Sequence, residues 1–297
     1  MRTEVGLLYN YTMNLKPALT IQEQLDLLRK RGLVIDNSQS AEKFLIKNNY
    51  YRLNIYFHKF MVDENCFRHG IQFSQIISIY NTDSWLRNKL LILLEPIEVN
   101  VKTRIAHHMA LKYGPDCFYD KDVYESERYY CDIYKIFENE LRRRQKDSVV
   151  IHHQMNYEGK FPLWVLIEFL SFNTTSKFFN ILPSIDRKEI SGEAFSLKDV
   201  YLTQWLHCLS VLRNICAHYG YLYRREHSLK PRLLKEYKGI IHENNTLFTL
   251  CLILKKLSDK ENWKMFIIEV ANKEINCDSF NLCDYGFLPE WQNILID

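Results

Sequence analysis

Apolar positions recur along most of this chain at three- and four-residue spacing, the period of helices that bury one face. Thr20 followed by Glu23 reads as a capping box, and the helix it opens carries Ile21, Leu25 and Leu28 before stopping at Gly32. After the turn-like Asp36-Asn37-Ser38, a second helix is expected from near Ser40 through Phe44, Leu45 and Asn48, completing an N-terminal helical hairpin. Over residues 49–60, Tyr50, Leu53, Phe57 and Phe60 fall on one stripe. Such a stripe is core or interface, while tyrosines beside Arg52 and Lys59 leave base stacking as the alternative. Asp63 to Gly70 is a polar connection with room for a short strand pair around Val62 and Phe67. The longest pattern runs from Phe73 to Tyr113 and includes Ile76, Leu86, Leu90, Leu94, Val101 and Ile105; Pro96 should kink or break it near Leu93 to Glu95.

Tyr113 to Tyr124 reads as a loop, Glu125 to Lys146 as a helix, and residues 147–160 as a polar connection. Pro162 suits the first turn of a helix that buries Leu163, Leu166, Ile167 and Leu170. Residues 183–198 hold two turn signals, Pro183-Ser184 and Ser191-Gly192, and lead to a helix from Tyr201 with a buried stripe of Leu202, Trp205, Leu209, Leu212, Cys216 and Tyr219. Asn245 to Leu257 and Glu261 to Val270 predict two more helices, followed by an apolar end that can dock on the body. The fold class expected is all-α, divided as an N-terminal helical region over residues 1–70, a helical bundle over 71–225 and a C-terminal helical extension over 226–297.

Composition agrees with long helices in a globular chain of 297 residues: 47% hydrophobic, 25% charged, nine glycines and seven prolines. The net charge of +3 does not by itself argue for nucleic acid, so any basic surface must be local. The strongest basic cluster is Arg142, Arg143 and Arg144, at the end of a predicted helix, where either the helix dipole or an RNA backbone accounts for it. Eight cysteines without a CxxC pair, residues 1–15 without a long apolar core, and no membrane-length apolar run predict a reducing cytoplasm and no membrane association. His107-His108 and His152-His153 are adjacent pairs, which point about 100° apart on a helix and are poor joint ligands, so no metal site and no cofactor are expected.

Candidate chemistry sits on the far side of the Tyr201 helix. With Leu212 set at zero, Arg213 falls at about +100°, Asn214 at about 200°, His207 near 220° and His218 at about 240°. All four face away from the buried stripe. Arg213 and His218 can serve one site only across that outer arc, or if the helix loosens near His218. A guanidinium offers a planar fork to phosphate oxygens, and an imidazole gives and takes protons near neutral pH. The plain alternative is that both are surface residues of an amphipathic helix. Glu168 is a candidate ion-pair partner for Arg213, behind the site with His207; Glu98 and Lys102 can pair along their own helix.

The six residues RNICAH, 213 to 218, resemble the R-x4-6-H motif of the HEPN superfamily, with Asn214 as the polar residue after the Arg. Five blocks in order over roughly residues 16 to 225 resemble the Abi-like abortive-infection proteins of bacteria, the AbiD/AbiF group. These are KPALTIQEQLDLLRKRGLVI, NNYYRLNIYFHKF, LEPIEVNVKTRIAHHMALKYG, FPLWVLIEFLSFNTTSKFF and LRNICAHYGYLYRR. The last block departs from the usual pattern, with Tyr221 where an Arg is common, while Arg225 keeps the final base.

The resemblance implies a HEPN-type bundle and a toxin-like, metal-independent endoribonuclease acting in phage defence. The 2′-hydroxyl attacks the adjacent phosphorus, leaving 2′,3′-cyclic phosphate and 5′-hydroxyl ends. His218 would be the general acid or base, Arg213 would stabilise charge on the phosphoryl oxygens, and Asn214 would orient one of them or the His. Arg224, Arg225 and the Arg142 to Arg144 cluster are candidate RNA contacts. The partners implied are RNA, a second copy of the chain that supplies a second His, and an antitoxin or regulatory RNA. The competing class is a non-catalytic helical protein that binds RNA or protein within a defence or toxin-antitoxin system.

Overall fold

Thr20 begins the first helix of the computed structural model, which describes residues 17–296. Its hydroxyl accepts from the Glu23 amide while Glu23 accepts from the Thr20 amide, and α1 (Ile21–Lys30) follows as expected. The lead-in at residues 1–16 lies outside the described residues. Helix α2 (Ser38–Lys47) starts two residues before the expected Ser40, because the Asn37 side chain caps it by accepting from the Ser40 amide. In α3 (Tyr50–His58) the aromatic stripe is core: Leu53, Tyr56 and Phe57 are buried, and Phe57 packs on Phe67 and Phe73. Two short antiparallel strands, β1 (Met61–Asp63) and β2 (Cys66–Phe67), form the hairpin foreseen around Val62 and Phe67.

Helix α4 (Phe73–Tyr113) is a single element of 41 residues with Pro96 inside it, so the proline does not divide it. Pro96 has no amide to offer the Ile92 carbonyl one turn earlier. The Ile92 side chain is 61% exposed, so that carbonyl lies on a face open to water. Two compact units, Met1–Tyr80 and Asn81–Asp297, divide the chain inside α4.

The second unit contains α5 (Glu127–Arg143), α6 (Ser148–Asn156), α7 (Leu163–Leu166) with a further 3-10 turn over Ile167–Phe169, α8 (Phe172–Ile181), α9 (Ser184–Phe195) and α10 (Asp199–Ala217). After a long stretch whose helical content is one 3-10 turn, Lys235–Tyr237, come α11 (Leu247–Leu257), α12 (Lys260–Ile275) and α13 (Trp291–Leu295). Two of these correct the sequence reading. Residues 147–160, read as a connection, include α6, and residues 183–198, read as turns, include α9. Pro183 stands just before α9 and fits an N-terminus, while Gly192 lies within the helix.

Helix α10 is the spine of this unit. Its stripe of Leu202, Trp205, Leu209, Leu212 and Cys216 is buried, and it neighbours α8, α9 and α11. Helix α11 is buried almost all round, and α8 contributes Phe172, Phe178 and Phe179. Each such side chain removed from water contributes roughly 1.5–3 kcal/mol. The C-terminal segment is tied in by hydrogen bonds: Trp263 Nε1 donates to the Leu295 carbonyl at 2.8 Å, and Lys255 Nζ to that of Ile294 at 2.9 Å. Among the described residues no helix is long and apolar enough to cross a membrane.

Candidate functional site

The outward arc of α10 ends in a tightly built turn. His218 is the helix C-cap, with its amide still donating to the Asn214 carbonyl at 2.9 Å, and its side chain is exposed. Tyr219 takes a left-handed conformation at φ +60, and the Gly220 amide then reaches back to the Ile215 carbonyl at 2.7 Å. This is the bonding that closes many helix C-termini. A Cβ on Gly220 would lie 2.9 Å from Ile215 Cγ2 and 3.1 Å from its carbonyl oxygen, so glycine is needed for close approach. The turn also corrects one expectation: Tyr219 leaves the buried stripe and is 67% exposed.

Beyond the turn, a buried carboxylate takes over as the anchor. Asp83 on α4 is 0% exposed and accepts the backbone amides of Leu222 at 3.1 Å and Tyr223 at 2.9 Å. Arg87, one turn on and 3% exposed, pairs with Asp83 and donates to the Gly220 carbonyl at 3.1 Å. Two charges taken out of water are tolerable only when paired and hydrogen-bonded. Here they bond each other and the backbone on the far side of His218. Sequence reasoning singled out neither residue; the signal available was an Asp and an Arg at i, i+4 within α4.

Arg213 is half-buried, and the carboxylate that reaches it is Glu98 of α4: Glu98 Oε2 lies 3.7 Å from Arg213 Nε. The other Glu98 oxygen is 3.2 Å from Lys102 Nζ, the i, i+4 pair anticipated from spacing, and Lys102 is 7% exposed. Arg213 Nη1 also donates to Asn214 Oδ1 at 3.5 Å. Glu168, the expected partner, is exposed on the 3-10 turn after α7 and makes no ion pair with Arg213. Its helix is shorter than the sequence suggested, and the chain turns before the carboxylate can point toward α10. The site therefore gathers Glu98, Lys102, Arg213 and Asn214 around two helices, with His218 at the open end of one of them.

Other candidate residues lie apart from this group. Arg142 and Arg143 are in the last turn of α5 and Arg144 caps it, each facing a nearby acid: Arg143 bonds Glu140 at 2.8 Å, Arg144 Nε lies 3.8 Å from the same Glu140, and Arg142 is 3.9 Å from Glu138. Arg224 bonds Asp284 at 2.6 Å, and Arg225 lies over the Tyr221 ring at 4.7 Å. His207 is exposed on α10, three turns before His218. All eight cysteines are free, and burial pushes the Cys216 thiol up to about 12, so it remains a neutral filler beside Arg87 and Asp83.

One cluster was missed by sequence reading. His108, Asp186 and Glu189 bring ligand-type atoms within 4.8 Å of one another, a set a metal ion could use. Lys112 Nζ already sits 2.7 Å from Asp186 and 3.1 Å from Glu189, His108 Nε2 is 2.7 Å from Asp186, and Tyr113 donates to it at 2.8 Å. Burial acts to raise the Asp186 carboxyl, yet these hydrogen bonds together hold it below the usual carboxylate range. An ammonium thus occupies the place a cation would need. The cluster was hidden because its acids stand on α9, a helix whose buried face includes Asp186 and Ser191 and so shows no clean apolar stripe.

A family model described as Abi-like protein matches residues 43–224 of the chain. No curated protein matches, and no solved structure does.

Proposed function

The chain belongs to the Abi-like protein family, and from that premise we propose that it acts in abortive infection, a phage defence, as a metal-independent endoribonuclease. The observation that carries the reading is the outer arc of α10, where Arg213 lies beside Glu98 and bonds Asn214 and the His218 ring stands exposed one turn further on. The resemblance of RNICAH to the R-x4-6-H motif gives those residues their roles.

In the proposed reaction the RNA 2′-oxygen bonds to the adjacent phosphorus as the P–O5′ bond breaks. One proton leaves the 2′-hydroxyl and another reaches the departing 5′-oxygen, giving a 2′,3′-cyclic phosphate and a 5′-hydroxyl. Arg213 offers two donors to the phosphoryl oxygens as their charge builds. Glu98 holds that guanidinium before RNA arrives, and Asn214 fixes its orientation. His218 moves one of the two protons. The second needs another group, which a second copy of the chain supplies when two α10 ends face each other across a twofold axis.

Arg213 being already engaged by Glu98 also suits a second reading, in which the motif is structural and the protein only binds RNA or a partner such as an antitoxin. Incubating the purified chain with RNA in excess EDTA separates the two. The expected result is cleavage with new 5′-hydroxyl ends, lost in His218→Ala while RNA binding persists. Cleavage that vanishes with chelator and returns with Mg²⁺ would overturn the mechanism. No cleavage by the unmodified dimer would favour the binder.

A further inference from the structure

Helix α10 borders a cavity of about 700 Å³ with α5, α8 and the segment around Arg232, and none of the reaction described above uses it. That volume is typical of small-molecule sites. Its inner wall is apolar, with Ile133, Ile136 and Ile181, and the exposed Tyr129 ring stands beside them. Lys177 and Arg232 stand exposed among the lining residues, and neither side chain forms an ion pair or hydrogen bond among the described residues. Arg187, also on the wall, is occupied by Glu125 at 2.8 Å and by the carbonyls of Asn180 and Leu182.

The cavity is held in shape. Gln204 of α10 accepts from the Arg232 amide at 2.7 Å and donates to the Lys230 carbonyl at 2.9 Å. Trp205 Nε1 donates to the Arg232 carbonyl at 2.9 Å. The backbone that carries Arg232 is therefore strapped to α10. Asp132 and Asp199 also line the space. Two cations beside two acids suit a ligand with both an anionic group and hydroxyl or amino donors, and apolar walls beside a tyrosine suit a planar ring. A nucleotide has all of these.

His207 lines the same cavity. It lies eleven positions before His218 on the same helix, which puts the two about 16 Å apart along the axis and within about 20° in direction. We propose that the cavity is a nucleotide subsite that holds one unit of a single-stranded RNA lying along α10, a few nucleotides from the phosphate at His218. The inference rests on the RNA-cutting reading for the identity of the strand. In this arrangement Lys177 and Arg232 hold a phosphate, the isoleucines and Tyr129 take the base, and Asp132 and Asp199 accept from ribose hydroxyls or base amino groups.

The test uses the full chain, a short labelled single-stranded RNA, and binding read by fluorescence anisotropy at several salt concentrations. Lys177→Glu with Arg232→Glu is expected to raise Kd about tenfold or more and to flatten the salt slope by about 0.7, one single-strand phosphate contact's worth. The same reversal at Lys264, which is exposed on α12 outside the cavity, is expected to change both far less. Equal effects from both changes, or an unchanged Kd in the double variant, overturn the subsite. So does tight binding of a free ribonucleoside monophosphate that the double variant loses while RNA binding stays intact, since the cavity then takes a free nucleotide. If the reversed pair does not fold, Lys177→Gln with Arg232→Gln gives the same slope comparison. Weaker RNA binding in the double variant of a protein that never cleaves RNA would sustain the subsite and sink the nuclease reading. Cleavage that depends on His218, with Kd and slope untouched by the double variant, would do the reverse.

Discussion

Arg213 shows how much depends on the geometry of one side chain. Its guanidinium lies 3.7 Å from Glu98 and donates to Asn214 at 3.5 Å, so both neighbours bias its orientation before any phosphate arrives. A lysine at this position keeps the charge and loses the fork; a point cation cannot hold two phosphoryl oxygens in fixed geometry. Arg213→Lys should therefore lower the cleavage rate about ten- to a thousandfold, the range for losing a strong donor to a transition-state oxyanion. Single-turnover kinetics at saturating RNA measure this directly. Wild-type rates in the lysine variant would mean that Arg213 does not touch the reacting phosphate.

At the scale of elements, the joint between α4 and the end of α10 deserves a stability measurement. Asp83→Ala removes the acceptor of two amides and leaves Arg87 buried without its partner. Breaking a buried pair from one side costs about 3–5 kcal/mol, and urea unfolding should show a loss of that size. Asp83→Asn retains an acceptor oxygen and should lose less; equal losses would show that the charge paired with Arg87, and not the acceptor oxygen, carries the stability. The sequence made one half of this joint legible. Leu202 to Cys216 announced α10 because an apolar stripe repeats with the helix period, and Arg213, Asn214 and His218 were visible as its polar remainder. The other half was not, because an aspartate in a helix reads as a surface residue until a strand of backbone some 140 residues later is laid over it. Helix α9 was lost for a related reason, since a buried Asp186 and Ser191 interrupt the stripe that would have revealed it. Glu168 was the partner expected for Arg213 and Glu98 was paired only with Lys102; the early end of α7 leaves Glu168 exposed, and Glu98 takes the place beside Arg213.

For the whole molecule, the proposed reaction moves two protons and the arc of α10 exposes one histidine near Arg213. A twofold assembly in which each site borrows the other copy's imidazole makes activity a property of pairs. When wild-type chains are dissociated and reassociated with an excess of His218→Ala chains, activity should fall further than dilution predicts, because most wild-type chains then share a site with one imidazole. Activity that tracks the amount of wild-type chain linearly after complete subunit exchange would show that each chain works alone.

The Asp83 anchor also leaves a kinetic signature in the backbone itself. Leu222 and Tyr223 lie outside any helix or strand, where amide protons ordinarily trade with water within the opening of a loop. Both donate to a carboxylate that is 0% exposed, and both side chains are buried. Their amide protons can leave only when the segment lifts off this buried carboxylate, which also exposes the buried Leu222 and Tyr223 side chains. Hydrogen–deuterium exchange should thus find these two amides as slow as those of Leu209 and Leu212 in α10, a patch of deep protection in an irregular segment. Fast exchange there would mean that the segment after His218 opens independently of the bundle.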